Sequence, residues 1–299
     1  MREESLAHRP PPCVLVLAGF DPSGGAGLLA DAEAVREAGA IPLCVPTALT
    51  VQTQTRARGF TPAPPGYLLE AARALLEEQE VRAIKIGMLA SPAIARAIAA
   101  LLEESPASRL PVLLDPVLVS SSGASLFHGT SDEAFAAVAA LWARALLTPN
   151  ALEAQALLGL DAAPRSLQAI EDAGRALVQR GAGAVLIKGG HAEGEESIDL
   201  LLERAAPDPL HANQFVWDAN HLHLRTSRLV GPRLRAESGR PLEARGTGCR
   251  LASALAARLA LGDSALEAAR QAKASVARYL LRAGRAGDVM IARHSGETP

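Results

Sequence analysis

Residues 14–27 read VLVLAGFDPSGGAG. An apolar run without polar alternation leads into a glycine-rich turn, and a helical pattern over about 25–38 follows directly. A strand, a turn and a helix in this order are typical of a parallel sheet whose strands are buried on both faces. Similar runs recur along the chain, and the predicted strands are 14–19, 41–46, 83–87, 112–115, 146–148 and 184–188.

Helical patterns separate these strands, at 25–38, 66–79, 93–104, 132–143 and 167–180, and residues 247–283 are almost wholly helical. Strands that alternate with helices predict an α/β fold with a mostly parallel sheet, helices on both faces and right-handed crossovers. We expect one domain over 13–285, with tails at 1–12 and 286–299. The stretch 205–245 is irregular, and only HLHLRT at 221–226 indicates an edge strand there.

The composition excludes several classes of protein. Of the 299 residues 49% are hydrophobic, which is enough for a sizeable core and too apolar for a disordered chain. With 30 basic and 32 acidic residues the net charge is −2, so no positive field attracts nucleic acid or an anionic membrane. No apolar run reaches the roughly 18–20 residues of a membrane helix, and the charged, proline-rich start does not look like a secretory signal. The chain has three cysteines, which are far apart and form no CxxC pair. This pattern indicates neither a zinc site nor disulfides, and it favours a cytoplasmic protein.

Polar residues and glycines follow nearly every predicted strand. Ligands of an open parallel sheet bind beyond the carboxyl ends of its strands, so these segments predict a binding site. They are GFDPSGGAG at 19–27, TALTVQ at 47–52, Gly87 with Met88, Asp115 with Pro116, TPN at 148–150 with Glu153 behind it, and KGGH at 188–191. A purely structural protein has no reason to collect such groups on one edge.

The first of these turns also matches part of a dinucleotide-binding fingerprint. Gly25, Gly27 and Ala30 have its spacing, but the ribose of a dinucleotide needs an acidic residue about 20 positions later. The chain has no acidic residue between Glu37 and Glu70, which disfavours this class. A Walker A loop is excluded, because none of the three lysines follows a glycine.

The segment RGTGC at 245–249 leads into a helix predicted over 250–261. Glycines let successive backbone amides face one concavity, and the positive end of the helix dipole adds to their field. Such a turn binds an anion or a transferring phosphoryl group. The thiol of Cys249 at this point is expected to have a lowered pKa. Taken alone, however, the residue fits an inert core cysteine better.

With these residues in view, the chain resembles the ribokinase superfamily, and most closely the hydroxymethylpyrimidine/phosphomethylpyrimidine kinases of thiamine biosynthesis. The resemblance implies a ribokinase-like three-layer sandwich. It also implies phosphorylation of 4-amino-5-hydroxymethyl-2-methylpyrimidine and then of its monophosphate, with ATP and Mg²⁺, by a homodimer. The segments that carry it are AGFDPSGGAGLLAD at 18–31, TALTVQ at 47–52, KIGML at 85–89, DPVLVSSSG at 115–123, TPNALEA at 148–154, IKGGH at 187–191 and GTGC at 246–249.

The resemblance further implies roles for single residues. Cys249 stands where the wider superfamily usually has an aspartate, and it would be the base for the first phosphorylation. The side-chain amide of Gln52 suits an aminopyrimidine, because it can donate to a ring nitrogen and accept from the exocyclic amine. The implied sets are Cys249, Gly246, Thr247 and Gly248 for catalysis, Gln52, Asp31, Met88 and Gly27 for the pyrimidine, Lys188, Asn150 and Asp115 for ATP, and Glu153 and Asp115 for the metal.

Three positions depart from the pattern of that family. Phe20 stands where a small hydroxyl residue is usual, Arg245 where a histidine is common, and Arg250 where a threonine or serine follows the cysteine. The two arginines would either add positive charge for the polyphosphate or crowd it.

Two other functions stay open. A pyridoxal kinase shares the fold and the donor, and some relatives with a cysteine base act on pyridoxal, but Gln52 and the GTGC turn favour the pyrimidine. A non-catalytic pyrimidine-binding sensor is suggested by the three departures. The intact set of Asn150, Glu153 and Cys249 argues against such a sensor.

Overall fold

The computed structural model describes residues 10–118, 125–189, 195–204, 224–236 and 239–285. Within these ranges the strands are β1 Cys13–Phe20, β2 Ile41–Gln52, β3 Ala57–Pro62, β4 Val81–Ile86, β5 Val112–Leu114, β6 Ala145–Leu147, β7 Ala184–Ile187, β8 Glu196–Arg204 and β9 Leu224–Pro232. The α-helices are α1 Gly27–Glu37, α2 Pro65–Glu78, α3 Pro92–Glu103, α4 Ser131–Trp142, α5 Ala151–Leu158, α6 Leu167–Gln179, α7 Thr247–Ala260 and α8 Ala265–Arg285, and a short 3₁₀ helix spans Ala107–Arg109.

The described strands form one sheet in the order β3-β2-β1-β4-β5-β6-β7-β8-β9. The six strands from β2 to β7 in this order are parallel to one another, whereas β3, β8 and β9 pair antiparallel at the two edges. The strand order reverses beside β1, because the chain passes outward to β2 and then back across to β4. A crevice opens at such a switch point, beyond the carboxyl ends of the strands.

Successive residues of each central strand pack on opposite faces of the sheet. Leu15 and Leu17 of β1 join an apolar cluster with helices α2 to α6, whereas Val14 and Val16 pack with α1, α7 and α8. Burial on both faces is the reason why the strand reads as a continuous apolar run. The layers are helix, sheet and helix, which confirms the predicted α/β architecture.

The structure corrects the prediction at several elements. Strand β2 does not end at 46 but continues through TALTVQ to Gln52, where it pairs with β3. Strand β3 is not predicted from the sequence, because its glycine and proline disfavour a strand. Strand β8 and the short helix α5 are not predicted either. Strand β9 begins at Leu224, and residues 221–223 of the predicted edge strand lie outside the described residues.

The tails and the ends of two segments also fall outside the described ranges. These are residues 1–9, 119–123, 190–191 and 286–299, so the predicted domain boundaries stay a prediction. Among the helices that are described, none combines the length and the apolar character needed to cross a lipid bilayer.

Candidate active site

The turn after β1 is held by one carboxylate. Oδ1 of Asp21 accepts hydrogen bonds from the backbone amide of Ser23 at 2.9 Å and from its hydroxyl at 2.7 Å, and Oδ2 accepts from the amide of Ala26 at 3.0 Å. The turn closes at Gly27, which has a φ of +57° and whose Cβ would lie 2.2 Å from the carbonyl oxygen of Gly19. Only glycine fits at this position.

A second glycine turn packs against the first. Gly246 has a φ of +73°, and its Cβ would lie 2.3 Å from the carbonyl oxygen of Gly25. Helix α7 then begins at Thr247 without a side-chain cap, and the amide of Arg250 donates to the carbonyl of Gly246 at 2.8 Å. The backbone amides of 247–249, termed here the α7 amide cluster, precede that bond and have no acceptor within the helix. Amides without an acceptor at the positive end of a helix dipole are suited to bind an anion.

Cys249 lies where the two turns meet and is half-buried. Burial and the carboxylate of Asp31 raise the pKa of its thiol to about 11. Lys85 and the backbone amide of Gly27 act in the opposite direction but do not offset this rise in pKa. The expectation of a lowered pKa is therefore wrong, because removal from water and nearby negative charge outweigh the groups that favour the thiolate. The thiol is neutral at rest.

A buried ion pair interacts with this thiol. Nζ of Lys85 lies 2.9 Å from both carboxylate oxygens of Asp31, and the hydroxyl of Ser253 donates to Oδ1 of Asp31 at 2.7 Å. Burial alone would lower the pKa of Lys85, but Asp31 raises that pKa above its ordinary value, so the lysine is charged. The substrate contact of Asp31 stays a prediction, because its carboxylate is fully buried and faces Lys85 and Ser253.

Three further residues lie at this site without being predicted from the sequence: Lys85, Ser253 and Asp21. A single lysine inside the apolar strand VRAIKI requires a buried counter-ion, which is a readable signal. Ser253 follows Cys249 by one helical turn, so both lie on one face of α7. Asp21 lies in the quoted turn, and an aspartate that precedes a glycine-rich turn commonly accepts its amides.

A second charged cluster lies at the ends of β5, β6 and β7. Oδ1 of Asp115 accepts hydrogen bonds from Nζ of Lys188 at 3.0 Å and from the hydroxyl of Thr148 at 3.2 Å. Its Oδ2 is buried and has no partner among the described residues. A Cβ on Gly248 would lie 3.9 Å from that oxygen and 3.2 Å from Nζ of Lys188. The cluster therefore adjoins the α7 amide cluster.

Helix α5 presents Glu153 to the same lysine. The amide of Glu153 donates to Oδ1 of Asn150 at 2.9 Å, and the amide of Asn150 donates to Oε2 of Glu153 at 2.8 Å, which is a capping box. That Oε2 lies 3.6 Å from Nζ of Lys188. Burial alone would lower the pKa of Lys188, but the carboxylates of Asp115 and Glu153 raise it above its ordinary value. The lysine is charged and joins the two carboxylates.

Asp115 and Glu153 fit a Mg²⁺ ion that brings most of its own ligands. No group of three or more His, Cys, Asp or Glu residues in the described ranges encloses a metal. Mg²⁺ at phosphoryl-transfer sites typically binds one or two carboxylates and keeps waters and phosphate oxygens as its other ligands. The unpartnered Oδ2 of Asp115 is an oxygen of the required kind.

Gln52 and Met88 lie at the ends of the two strands that flank β1. Gln52 is half-buried, and its Oε1 accepts a hydrogen bond from the guanidinium of Arg245 at 3.4 Å. Met88 packs with Ala48, and a Cβ on Gly19 would lie 2.7 Å from its Sδ. The structure thus places an amide and an apolar side chain beside the first glycine turn.

Arg250 is directed away from this site. Its guanidinium donates to Oε2 of Glu33 at 2.5 Å and lies 4.0 Å from the ring centroid of Tyr279. The side chain packs between α1 and α8 and is buried. The expectation that Arg250 adds charge to the polyphosphate or crowds it is therefore wrong.

Comparison with known proteins identifies the family. The sequence model of the phosphomethylpyrimidine kinases matches residues 21–223 and 232–292. The chain belongs to this family. Both glycine turns and the two charged clusters lie within the matched ranges.

One curated relative is the hydroxymethylpyrimidine/phosphomethylpyrimidine kinase of Escherichia coli K12. It is 34% identical over 248 residues, which cover 81% of this chain and 81% of that protein. Other relatives are longer: the match spans 47% of the bifunctional thiamine biosynthesis protein ThiED of Geobacter sulfurreducens and 31% of the multifunctional one of Corynebacterium efficiens. The kinase family is therefore found both as a separate chain and as part of larger proteins.

Two solved structures share the fold. The phosphomethylpyrimidine kinase of Clostridium difficile 630 has a TM-score of 0.69 and 26% identity, over 90% of this chain and 99% of that chain. The pyridoxal kinase of Staphylococcus aureus, in complex with AMP-PCP and pyridoxal, has a TM-score of 0.71 and 27% identity, over 89% of this chain and 87% of that chain. These likenesses confirm the predicted ribokinase-like fold.

Proposed function

We propose that this chain uses ATP to phosphorylate 4-amino-5-hydroxymethyl-2-methylpyrimidine and then the resulting monophosphate. The observation that carries the proposal is the packing of Gly246 against Gly25. This contact packs the first glycine turn against the start of α7, where Cys249 lies. Lys188 adjoins Gly248, and Gln52 is hydrogen-bonded to Arg245. Membership of the phosphomethylpyrimidine kinase family supports the same reaction.

The transferred phosphoryl group is held by positive potential. In phosphoryl transfer the protein mainly positions the reactants and offsets negative charge. The α7 amide cluster supplies hydrogen-bond donors, and Lys188 supplies a charge next to them. Asp115 and Glu153 would hold the Mg²⁺ that accompanies ATP, and a bound Mg²⁺ neutralises part of the phosphate charge.

Cys249 is the base for the first step. The proton of the hydroxymethyl group passes to Sγ, the substrate oxygen bonds to the γ-phosphorus of ATP, and the bond from that phosphorus to ADP breaks. Because the resting thiol is neutral, it first loses its own proton to water, and Lys85 and the amide of Gly27 favour the resulting thiolate. The second step needs no such base, because the phosphate nucleophile is already ionised.

Phosphorylation of pyridoxal is the second candidate function. The likeness to the Staphylococcus aureus pyridoxal kinase supports it. The side chain of Gln52 favours the pyrimidine, because an amide pairs with an acceptor nitrogen beside a donor amine. Pyridoxal has no amine beside its ring nitrogen.

A coupled ADP-release assay tests the proposal. The protein is given ATP with the pyrimidine, with its monophosphate and with pyridoxal, each in a separate reaction. We expect turnover with the first two substrates and little with the third. Turnover of pyridoxal without turnover of the pyrimidine would contradict the proposal. Binding of the pyrimidine by calorimetry without ADP release would identify a non-catalytic sensor instead.

We also propose a cytoplasmic, homodimeric enzyme with small-molecule partners. The net charge of −2 gives no attraction to nucleic acid or an anionic membrane. Cys13, Cys44 and Cys249 are free thiols, which suits a reducing compartment. Sedimentation of the purified chain tests the dimer.

A further inference from the structure

Arg245 connects three parts of the site. Its guanidinium donates to Oδ2 of Asp21 at 3.3 Å, to Oε1 of Gln52 at 3.4 Å and to the carbonyl of Thr53. The side chain is 17% exposed, so most of it is shielded from water. Because Arg245 directly precedes Gly246, one side chain reaches from the second glycine turn to the first turn and to the end of β2.

The position of Arg245 is itself fixed. Its carbonyl accepts a hydrogen bond from the hydroxyl of Tyr279 on α8 at 3.2 Å. Its Nε is buried, has no partner among the described residues, and lies 3.5 Å from the place of a Cβ on Gly25. Tyr279 thus holds the backbone of Arg245, and Asp21 holds its guanidinium. The side chain can therefore fix the amide of Gln52, which it also contacts.

The contact with Gln52 selects one orientation of the amide. A guanidinium has only donors, so the amide that faces it must present its oxygen. Nε2 of Gln52 is then turned away from the arginine, and it donates to none of the described residues. Oε1 also keeps one lone pair. The amide therefore offers one acceptor and one donor side by side.

We propose that Arg245 is a positioning residue that sets the Gln52 amide for an aminopyrimidine. Nε2 donates to the ring nitrogen, and the remaining lone pair of Oε1 accepts from the exocyclic amine beside it. Pyridoxal cannot match this pair of groups, so the fixed amide also favours the pyrimidine over pyridoxal. This inference rests on the proposed function and adds to it a determinant of specificity.

A double-mutant cycle between Arg245 and Gln52 tests the inference. Arg245→Met removes every donor at a similar side-chain length. We expect it to raise the KM for the pyrimidine about tenfold, the effect of losing one charge-assisted hydrogen bond. We expect kcat and the KM for ATP to change less than about twofold. We also expect Arg245→Met to lower the preference for the pyrimidine over pyridoxal.

The second half of the cycle separates positioning from a merely structural role. Gln52→Ala raises the KM for the pyrimidine, and Arg245→Met added to it causes no further rise, because the amide that the arginine orients is gone. Arg245→Lys keeps one donor and retains part of the affinity. Arg235→Met is the matched control, because Arg235 bonds to Glu195 and the carbonyl of Gly239 on a surface turn.

Three results would overturn the inference. They are an unchanged KM for the pyrimidine in Arg245→Met, an equal rise in the KM for ATP, and additive effects of Arg245→Met and Gln52→Ala. If Arg245→Met does not fold, as judged by its melting temperature, Arg245→Lys takes its place in the cycle. If the wild-type enzyme phosphorylates the pyrimidine but the effects of Arg245→Met and Gln52→Ala are additive, only the role of Arg245 is overturned. A wild-type protein that neither binds nor phosphorylates the pyrimidine overturns the proposed function as well.

Discussion

The thiol of Cys249 lies among groups of opposite charge. Burial and the carboxylate of Asp31 raise its pKa to about 11, while Lys85 and the amide of Gly27 favour the thiolate. The sequence predicts that this cysteine lies at a helix N-terminus, which is correct. The sequence does not predict how near Asp31 lies, because that distance depends on how α1 packs against α7.

Replacement of Cys249 separates the two phosphorylation steps. Cys249→Ala is expected to slow the first step by about 10²–10⁴-fold, the usual contribution of a general base. The second step stays much closer to the wild-type rate, because its nucleophile is already ionised. ADP release with the pyrimidine and with its monophosphate measures both steps. Cys44→Ala, at an exposed thiol, is the control. Equal losses in both steps would show that the thiol only supports the turn.

The pH dependence of the first step follows from the raised pKa of Cys249. An acid with a raised pKa loses its proton later, so the thiolate fraction grows as the pH rises towards about 11. We expect kcat of the first step to rise by up to about tenfold per pH unit between about pH 7 and pH 9. The second step has a flatter profile, and Cys249→Ala removes the slope of the first. A flat profile for the first step of the wild type would contradict the role of the thiol.

At the scale of elements, Lys85 ties β4 to α1 through Asp31, and Ser253 adds α7 to the same pair. Removal of one partner leaves an uncompensated buried charge. Lys85→Met or Asp31→Leu is expected to lower the free energy of unfolding by about 3–5 kcal/mol, whereas the double variant loses much less than the sum. Urea denaturation measures these values.

The control for this pair is an ion pair at the surface. Arg73 and Glu104 are 47% and 39% exposed, so Arg73→Met should cost less than about 1 kcal/mol. If the effects of Lys85→Met and Asp31→Leu were additive, the two side chains would not act as a pair.

Elements with a strong local signal are the ones that the sequence predicts well. The central strands and the helices α1 to α4 and α6 lie within two residues of their predicted starts. Strand β2 differs, because residues 48–52 pair with β3 and only Ala48 and Leu49 among them also pair with β1. The capping box of α5 is readable as Asn150 and Glu153, but eight residues show too little periodicity to predict the helix.

Across the whole molecule, every lysine belongs to a buried ion pair. Only three of the 30 basic residues are lysines, and each pairs with an aspartate whose side chain is at most 8% exposed. Lys273 on α8 lies 2.7 Å from Asp199, which accepts the amide of Gly189 at 2.8 Å and so fixes the backbone next to Lys188.

The sequence predicts which strand ends carry the residues of the site, but it does not predict how these residues contact one another. The resemblance to the kinase family selects Gln52, Lys188 and Cys249, and the parallel sheet explains why they share one edge. The contact between Gly25 and Gly246, which are far apart in the chain, emerges only when α7 packs beside α1. Arg245 and Lys85 gain their roles in the same way.

We propose above all that the α7 amide cluster holds the transferred phosphoryl group. A Cβ on Gly248 would lie 3.2 Å from Nζ of Lys188 and 3.9 Å from Oδ2 of Asp115. It would therefore occupy the space between these side chains and the α7 amide cluster, and it would not contact the backbone of another segment. Gly66 is the matched control, because nothing lies within 4 Å of its Cβ position.

The most direct measurement is kcat of both phosphorylation steps in Gly248→Ala and Gly66→Ala, with melting temperatures alongside. We expect kcat of Gly248→Ala to fall at least about 10²-fold in both steps, with a melting temperature near that of the wild type, while Gly66→Ala keeps full activity. A Gly248→Ala enzyme that folds and turns over within about twofold of the wild type in both steps would contradict the proposal.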